Sequence, residues 1–274
     1  MNIEEEKIME FKGIDVSKWQ GLINWNEVRK DGTEFAILRE GWGKKSPTQI
    51  DKRFKKNYEN AKAVGIPVGC YHYSYADSVD DAKREAEFCL ENIQGMRFEY
   101  PVVLDIEDRT MLSLSNRQRT DIVKAFCSEI EKSRYYAMFY CNANWLNNYL
   151  IKEELLPKYD LWLAQWCVGK PSVPCGIWQK SDKGFINGIS GNVDLDISYK
   201  NYPEIMKSKG LNGFSKSNSS TNTNYFNYTV KKGDTLWAIA QHYLGSGTKY
   251  KEIKALNALN SDTIYPNQIL KIPK

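Results

Sequence analysis

From Gly13 to Asp196, short apolar runs take turns with stretches whose apolar residues recur at helical spacing. Side chains alternate between two faces along a strand and wind around the axis of a helix, so the two periods tell the elements apart. The runs Gly13–Gly21, Phe35–Arg39, Ile66–Ser74, Glu99–Asp108, Tyr135–Tyr140, Leu161–Trp166, Gly176–Gln179 and Val193–Asp196 read as strands. Trp25–Lys30, Lys52–Val64, Asp80–Ile93 and a segment capped by Ser115 and running to about Lys132 read as helices. Strand, helix, strand in succession implies parallel pairing, and enough such units with both sheet faces covered close into a barrel. The expected fold class is α/β, an irregular (β/α) TIM-like barrel.

One apolar run ends in acids. Alternation puts Asp105 and Glu107 on one side of their strand and Leu104 and Ile106 on the other. Two carboxyls sharing one small space cannot both ionise easily, so one should keep its proton near neutral pH, as a general acid must. The plainer alternative is that they are solvated or cap a following helix. In parallel barrels the reactive groups sit at the C-terminal ends of the strands, where Asp15, Tyr71, Tyr73, Asp105, Glu107, Tyr140, Asn142, Gln165, Gln179 and Asp194 fall. Taken singly, each Tyr, Trp and Gln is more often core or rim; their shared end of the barrel is what counts. Acids, aromatics and amides without a His base, a Ser elbow or a phosphate-binding glycine loop suit acid-catalysed cleavage of a glycosidic bond.

Lys207–Gly213 closes this module, and Ser215–Asn224 is a Ser/Asn/Thr run without apolar residues, read as a flexible linker. Beyond it, Tyr228–Ala240 is a strand turning through Gly233-Asp234 into a helix. A second helix around Tyr250–Asn257 and a strand over Ile264–Pro273 complete a small α+β (βααβ) unit. The expected division is an acidic leader over residues 1–10, a barrel over 11–213, a linker over 214–227 and a small domain over 228–274.

Charge supports two modules. The whole chain carries +4, yet residues 228–274 alone hold seven Lys against three acids, leaving the larger module near neutrality. A compact basic end favours an anionic surface such as a cell wall or nucleic acid, although scattered Lys also serves plain solubility. Six Cys lie far apart, and Cys70, Cys89, Cys127, Cys141 and Cys167 fall within apolar patterns, so they read as buried thiols. With only His72 and His242 and no Cys-x-x-Cys pair, neither a metal site nor a cofactor is expected. The N-terminal Met1–Lys7 is acidic and lacks the apolar core of a secretory signal, and no stretch is apolar enough to span a membrane. The expectation is synthesis and folding in a reducing cytoplasm, with no nucleic-acid partner and no stable membrane contact. Eight Trp and seventeen Tyr can be ordinary core, but are also the residue types that stack on sugar rings.

Both modules resemble known families. Across about residues 11–206 the chain is similar to the glycoside hydrolase family 25 lysozymes, N-acetylmuramidases of phage endolysins and bacterial autolysins. The motifs are Gly13-Ile14-Asp15-Val16-Ser17 with Trp19-Gln20-Gly21, Gly69-Cys70-Tyr71-His72-Tyr73, Leu104-Asp105-Ile106-Glu107, Leu161-Trp162-Leu163-Ala164, Trp178-Gln179 and Val193-Asp194-Leu195-Asp196. The small module resembles a LysM domain through Tyr228-Thr229-Val230, Lys232-Gly233-Asp234-Thr235-Leu236, Ala255-Leu256-Asn257 and Ile264-Tyr265-Pro266-Asn267-Gln268.

The resemblance implies that Glu107 protonates the leaving oxygen, that Asp105 holds and tunes it, and that Asp15 and Asp194 complete the catalytic set. One of these Asp residues would steer the substrate's own N-acetyl group onto the anomeric carbon. Tyr71, Tyr73, Tyr140, Gln165, Trp166, Gln179 and Asp196 would line the substrate site. Trp166-Cys167 stands where the family more often has Tyr, and Asp196 where it often has Asn. In the LysM module Gly233, Asp234, Thr235, Leu236 and Asn257 would meet the glycan, though Gly233 and Asp234 also suit a turn and a helix cap. The implied partner is bacterial peptidoglycan, reached from the host cytoplasm once the membrane is breached.

Three rivals fare worse. A chitinase needs Asp-x-x-Asp-x-Asp-x-Glu, and aligned on Glu107 the two earlier Asp positions hold Tyr100 and Val103. A non-catalytic glycan-binding barrel would not need Glu107, Asp105, Asp15 and Asp194 together. A wall amidase or endopeptidase would need zinc ligands or a Cys–His pair.

Overall fold

The computed structural model describes residues 9–44, 46–215, 225–231, 233–257, 259, 261–265 and 268–273. It divides into two compact units, Met1–Ser217 and Asn218–Lys274. In the first, eight strands close a barrel in sequence order: β1 Phe11–Val16, β2 Phe35–Trp42, β3 Val68–Tyr73, β4 Val102–Asp105, β5 Ala137–Asn142, β6 Asp160–Ala164, β7 Ile177–Gly184 and β8 Val193–Ser198. The helices are α1 Trp25–Lys30, α2 Phe54–Ala63, α3 Val79–Asn92, α4 Asn116–Lys132, α5 Ala143–Asn148, α6 Lys152–Leu155 and α7 Tyr202–Lys209. Ser115 does cap α4: its hydroxyl accepts from Gln118 N–H while the Gln118 side chain returns to the Ser115 backbone.

Uniform parallel pairing does not hold. Strands β1 to β7 run parallel, but β8 is antiparallel to both β7 and β1. A parallel crossover needs about a dozen residues or more, and only residues 185–192 separate β7 from β8, so the chain doubles back. Reversal brings the start of β8, rather than its end, to the rim where the other strands finish.

The two faces of the strands form two cores. Ile14, Leu38, Val68, Leu104 and Phe139 point outward under the helices, while Ile37, Val103, Met138, Trp162 and Ile177 fill the barrel. Tyr202 and Met206 of α7 join the inner cluster, and Phe35 stacks on Tyr100 at 4.3 Å with planes 9° apart. Gly13 makes room for that pair, since a Cβ there would lie 2.3 Å from the Phe35 ring. Gly13→Ala is expected to cost about 1–3 kcal/mol by overpacking, read from the barrel's urea transition. An unchanged midpoint would mean the Phe35 ring moves freely.

Some expectations shift. Cys70, Cys89, Cys127 and Cys141 are buried thiols, but Cys167 is exposed on the β6–β7 connection at φ 58°. Phe214, placed in the linker from sequence, packs against the inner cluster with the Arg97 guanidinium 5.0 Å from its ring. At the other end of that expected linker, the small unit's first strand already begins at Tyr225. The rest of the linker run, 216–224, lies outside the described residues, as do residues 1–8 of the leader. Among the described residues no helix is long and apolar enough to cross a membrane.

The second unit pairs β9 Tyr225–Thr229 with β10 Ile269–Pro273, antiparallel, around α8 Leu236–Leu244 and α9 Tyr250–Leu256. Val230, Leu236, Ile239, Ile253, Leu270 and Ile272 are its core. Thr235 caps α8 by accepting the Ala238 N–H at 3.1 Å.

Candidate active site

Strand register gathers the acids. Asp15 on β1 lies opposite Asp194 on the reversed β8, and Gln179 on β7 opposite Asp196. Tyr73 is beside Asp105 across β3–β4, and Asp105 beside Tyr140 across β4–β5. Strand β4 ends at Asp105, so Glu107 stands on the loop just beyond it. Five carboxyls thus meet at one mouth. Asp15, Asp105 and Asp196 are buried, whereas Glu107 and Asp194 remain partly open to solvent.

Hydrogen bonds fix their orientation. Gln179 Nε2 donates to Asp15 Oδ2 at 2.8 Å, and its carbonyl accepts from Tyr140 Oη and Trp166 Nε1, both at 3.1 Å. Because two donors claim the carbonyl, the amide N–H can only face Asp15. Asn142 Nδ2 donates to Glu107 Oε2 at 3.3 Å, and Trp162 Nε1 to Asp196 Oδ1 at 2.8 Å. Tyr73 Oη donates to Asp108 Oδ2 at 2.9 Å. Asp105 Oδ1 has no hydrogen-bond partner among the described residues.

Burial sets the acidities. It pushes the Glu107 carboxyl up, against the Asn142 bond that favours the charged form. Asp105 is held well above the carboxylate range by burial first and by the Glu107 charge second, with Arg39 opposing. Asp15 is raised by burial and then by Asp196 and Asp194, with the Gln179 bond opposing, while burial takes Asp194 up to about 6. Desolvation therefore outweighs like-charge repulsion as the cause of these upward shifts. The mouth can keep a proton at a reachable carboxyl with further carboxyls behind it, an arrangement suited to acid-assisted bond cleavage.

Not every residue expected in the site faces it. Gln165 Oε1 accepts the Ser172 N–H at 2.8 Å and staples its own loop. Asp196, 1% exposed, lies beneath Asp15 and Asp194 with no surface to offer a ligand. Tyr140 is buried with its hydroxyl on Gln179, whereas Tyr71, edge-on to Trp162, Tyr73 and Trp166 retain open surface. Arg39 was missed. Its Nε donates to Asp51 Oδ2 at 2.9 Å on the inward face of β2, a place that counting in twos from Phe35 and Ile37 would have found.

In the small unit, the motif residues hold the fold. Asp234 Oδ2 accepts both the Lys231 N–H and the Tyr228 hydroxyl at 2.7 Å, and Gly233 turns at φ 94°. Asn257 bonds Lys271 N–H and C=O at 2.7 Å each, tying the end of α9 to β10. Leu236, 2% exposed, is core and has no side-chain surface for a glycan. Among the described residues of this unit, the exposed aromatic side chains are Trp237, Tyr243 and Tyr265.

Residues 14–189 match the sequence profile of glycosyl hydrolases family 25, and residues 228–273 that of the LysM domain. Lysozyme M1 of Streptomyces globisporus is 32% identical over 198 residues, 67% of this chain and 66% of that protein. The autolytic lysozyme of Clostridium acetobutylicum is 30% identical over 187 residues, covering 68% of this chain but 55% of the relative. The matches thus span just under two thirds and just over half of these two relatives. Among solved structures, the CTP1L endolysin superposes with a TM-score of 0.64 at 28% identity, over 72% of this chain and 70% of that one.

Proposed function

We propose, since the chain belongs to glycosyl hydrolases family 25 and ends in a LysM domain, that it is a peptidoglycan N-acetylmuramidase. It hydrolyses the β-1,4 bond from N-acetylmuramic acid to N-acetylglucosamine. The observation carrying this reading is Glu107, a reachable carboxyl at the barrel mouth whose pKa burial pushes up and whose Oε2 is oriented by Asn142. Glu107 protonates the leaving oxygen as positive charge grows on the anomeric carbon, and Asp105, Asp15 and Asp194 supply the field for that charge. The substrate's N-acetyl group, steered by one of the Asp residues, attacks that carbon, so no protein nucleophile is needed. The LysM unit raises the local concentration of the barrel at an insoluble wall. The test is digestion of purified peptidoglycan, reduction, and mass spectrometry of the new reducing ends. Muramic acid ends are expected; N-acetylglucosamine ends would overturn the bond assignment, and wall binding without new ends would make the barrel a binding surface.

Gln179 gives a second handle. Its amide favours the charged form of Asp15, so Gln179→Met raises the Asp15 pKa further and the carboxylate is lost at higher pH. We expect kcat/KM to fall roughly tenfold to a hundredfold, with the acid limb of the pH profile moved upward. A limb that stays put would remove Asp15 ionisation from the mechanism.

Delivery is of the endolysin type in this reading, the protein waiting in the host cytoplasm until the membrane opens. All six cysteines are unpaired thiols, as suits folding in a reducing compartment. Expression with and without a membrane pore decides the matter. Lysis only with the pore supports the endolysin reading, and lysis without it supports an exported autolysin.

A further inference from the structure

Beside the acidic mouth lies a cleft of about 220 Å³ lined by Lys18, Trp19, Arg39, Trp42, Tyr73 and Tyr75. It shares Tyr73, the register neighbour of Asp105, with the catalytic centre. Its charge is opposite to that of the mouth. Lys18 Nζ sits between two indoles, 4.8 Å from the Trp19 ring centre and 4.9 Å from that of Trp42, and the Arg39 guanidinium lies 5.3 Å from Trp42. Two cations around one ring repel each other unless something offsets them. Buried Asp51 does so for Arg39, which it ion-pairs at 2.8 Å, while the same Oδ2 accepts the Lys18 backbone N–H at 2.9 Å and pins the turn. The Lys18 ammonium itself pairs with no acid among the described residues. The Ser17–Gln20 capping box holds the turn from the other side.

Such a cleft is built for a ligand with an apolar face and an anionic group: indole and phenol rings for the one, Lys18 and Arg39 for the other. Of the two sugars in the proposed substrate, only the muramoyl unit carries acid, in the lactyl ether at O3, whose carboxyl is free or extended by a peptide with carboxylates of its own. N-acetylglucosamine has a neutral hydroxyl there. We propose, resting on the muramidase reading, that this cleft receives the O3 substituent of a muramoyl residue, its carboxylate facing Lys18 and Arg39. The cleft thereby distinguishes the two sugars and sets which bond is presented to Glu107. Since the mouth itself is acidic, this wall is where a negatively charged substituent is welcome.

The experiment compares wild type, Lys18→Met and Lys18→Arg on glycan strands with intact peptide stems, on strands stripped to the free lactyl carboxylate, and on both after conversion of carboxylates to amides. Methionine keeps the length of the stem over the indoles and removes the charge. We expect Lys18→Met to raise KM about threefold to tenfold on the carboxylate substrates with kcat little changed, Lys18→Arg to restore it, and the difference to vanish on amidated strands. A KM effect on stripped strands identifies the lactyl carboxylate, and one confined to stemmed strands identifies the peptide. Equal effects on charged and amidated strands, or none at all, would overturn the assignment. Equilibrium binding of the same strands to Glu107→Gln and Glu107→Gln/Lys18→Met, followed by tryptophan fluorescence, keeps this outcome separate from the muramidase reading. If wild type frees no muramic acid ends, that reading fails, while the binding comparison still reports on the cleft.

Discussion

Glu107→Gln is expected to lower the rate of glycan cleavage by about two to four powers of ten while leaving wall binding and the unfolding midpoint close to wild type. Glutamine keeps the volume of the side chain, and its carbonyl can still accept from Asn142 Nδ2, so the loop beyond β4 retains its anchor. What disappears is the transferable proton. Because burial raises the Glu107 pKa above its ordinary 4.5, the donor form persists to higher pH than on a solvated carboxyl, and activity falls as pH rises through that raised value. A reducing-end assay run across pH on both proteins reads the effect. The wild-type alkaline limb should lie above 4.5, and the variant's residual rate should lack it. If Glu107→Gln stays within about tenfold of wild type, another group supplies the proton and the assignment of Glu107 is lost.

How far the chain could be read depended on the range of the interactions involved. The barrel was legible because strand and helix periods are local, and they carry Asp15, Tyr73, Asp105 and Tyr140 to one rim. The direction of β8 was not. Periodicity is blind to direction, and the deciding fact is the shortness of residues 185–192, a loop-length argument that an unbroken strand-helix rhythm obscures. Reading Asp105 and Glu107 as a like-charge pair named only a secondary cause: burial comes first for both, and the Glu107 charge adds to it at Asp105. Gln179 is the clearest limit. It reads as a sugar contact, yet both ends of its amide are used inside the protein, one on Asp15 across 164 positions of sequence. Asp234 and Asn257 share that limit, since their side chains are also taken up by internal partners, the Lys231 N–H for one and the Lys271 backbone for the other. Arg39 was within reach, for it shares the parity of Phe35 and Ile37.

Replacing His72 by Leu is expected to cost the barrel about 3–5 kcal/mol, for reasons unrelated to its catalytic face. His72 points outward from β3 into the layer beneath α3 and is fully buried. Its Nδ1 lies 2.5 Å from Glu40 Oε1, and its Nε2 3.9 Å from Glu85 Oε2. Asn92 donates to Glu40, and Ser74 Oγ with the Tyr75 N–H to Glu85, so the carboxyls are held in place whether or not the imidazole is present. Leucine fills much of the space but leaves two buried acids without their cation, the situation in which breaking a buried pair costs most. Adding Glu40→Gln to His72→Leu should recover part of the loss, because it removes one of the stranded charges.

The sign of the pH dependence follows from the imidazole. Its folded pKa is raised above 6.5 by its hydrogen bond to Glu40 and the charges of Glu40 and Glu85, against a larger opposing effect of burial than any one of them. The stabilisation it contributes is therefore complete below 6.5 and is lost as pH rises through the folded value. Urea unfolding of wild type across that window should register the decline in the barrel transition. Proton NMR can follow the titration directly, since the chain has only two histidines. A His72 resonance that titrates below 6.5 would mean the ring is buried neutral, and the expected loss on substitution would shrink to that of a cavity.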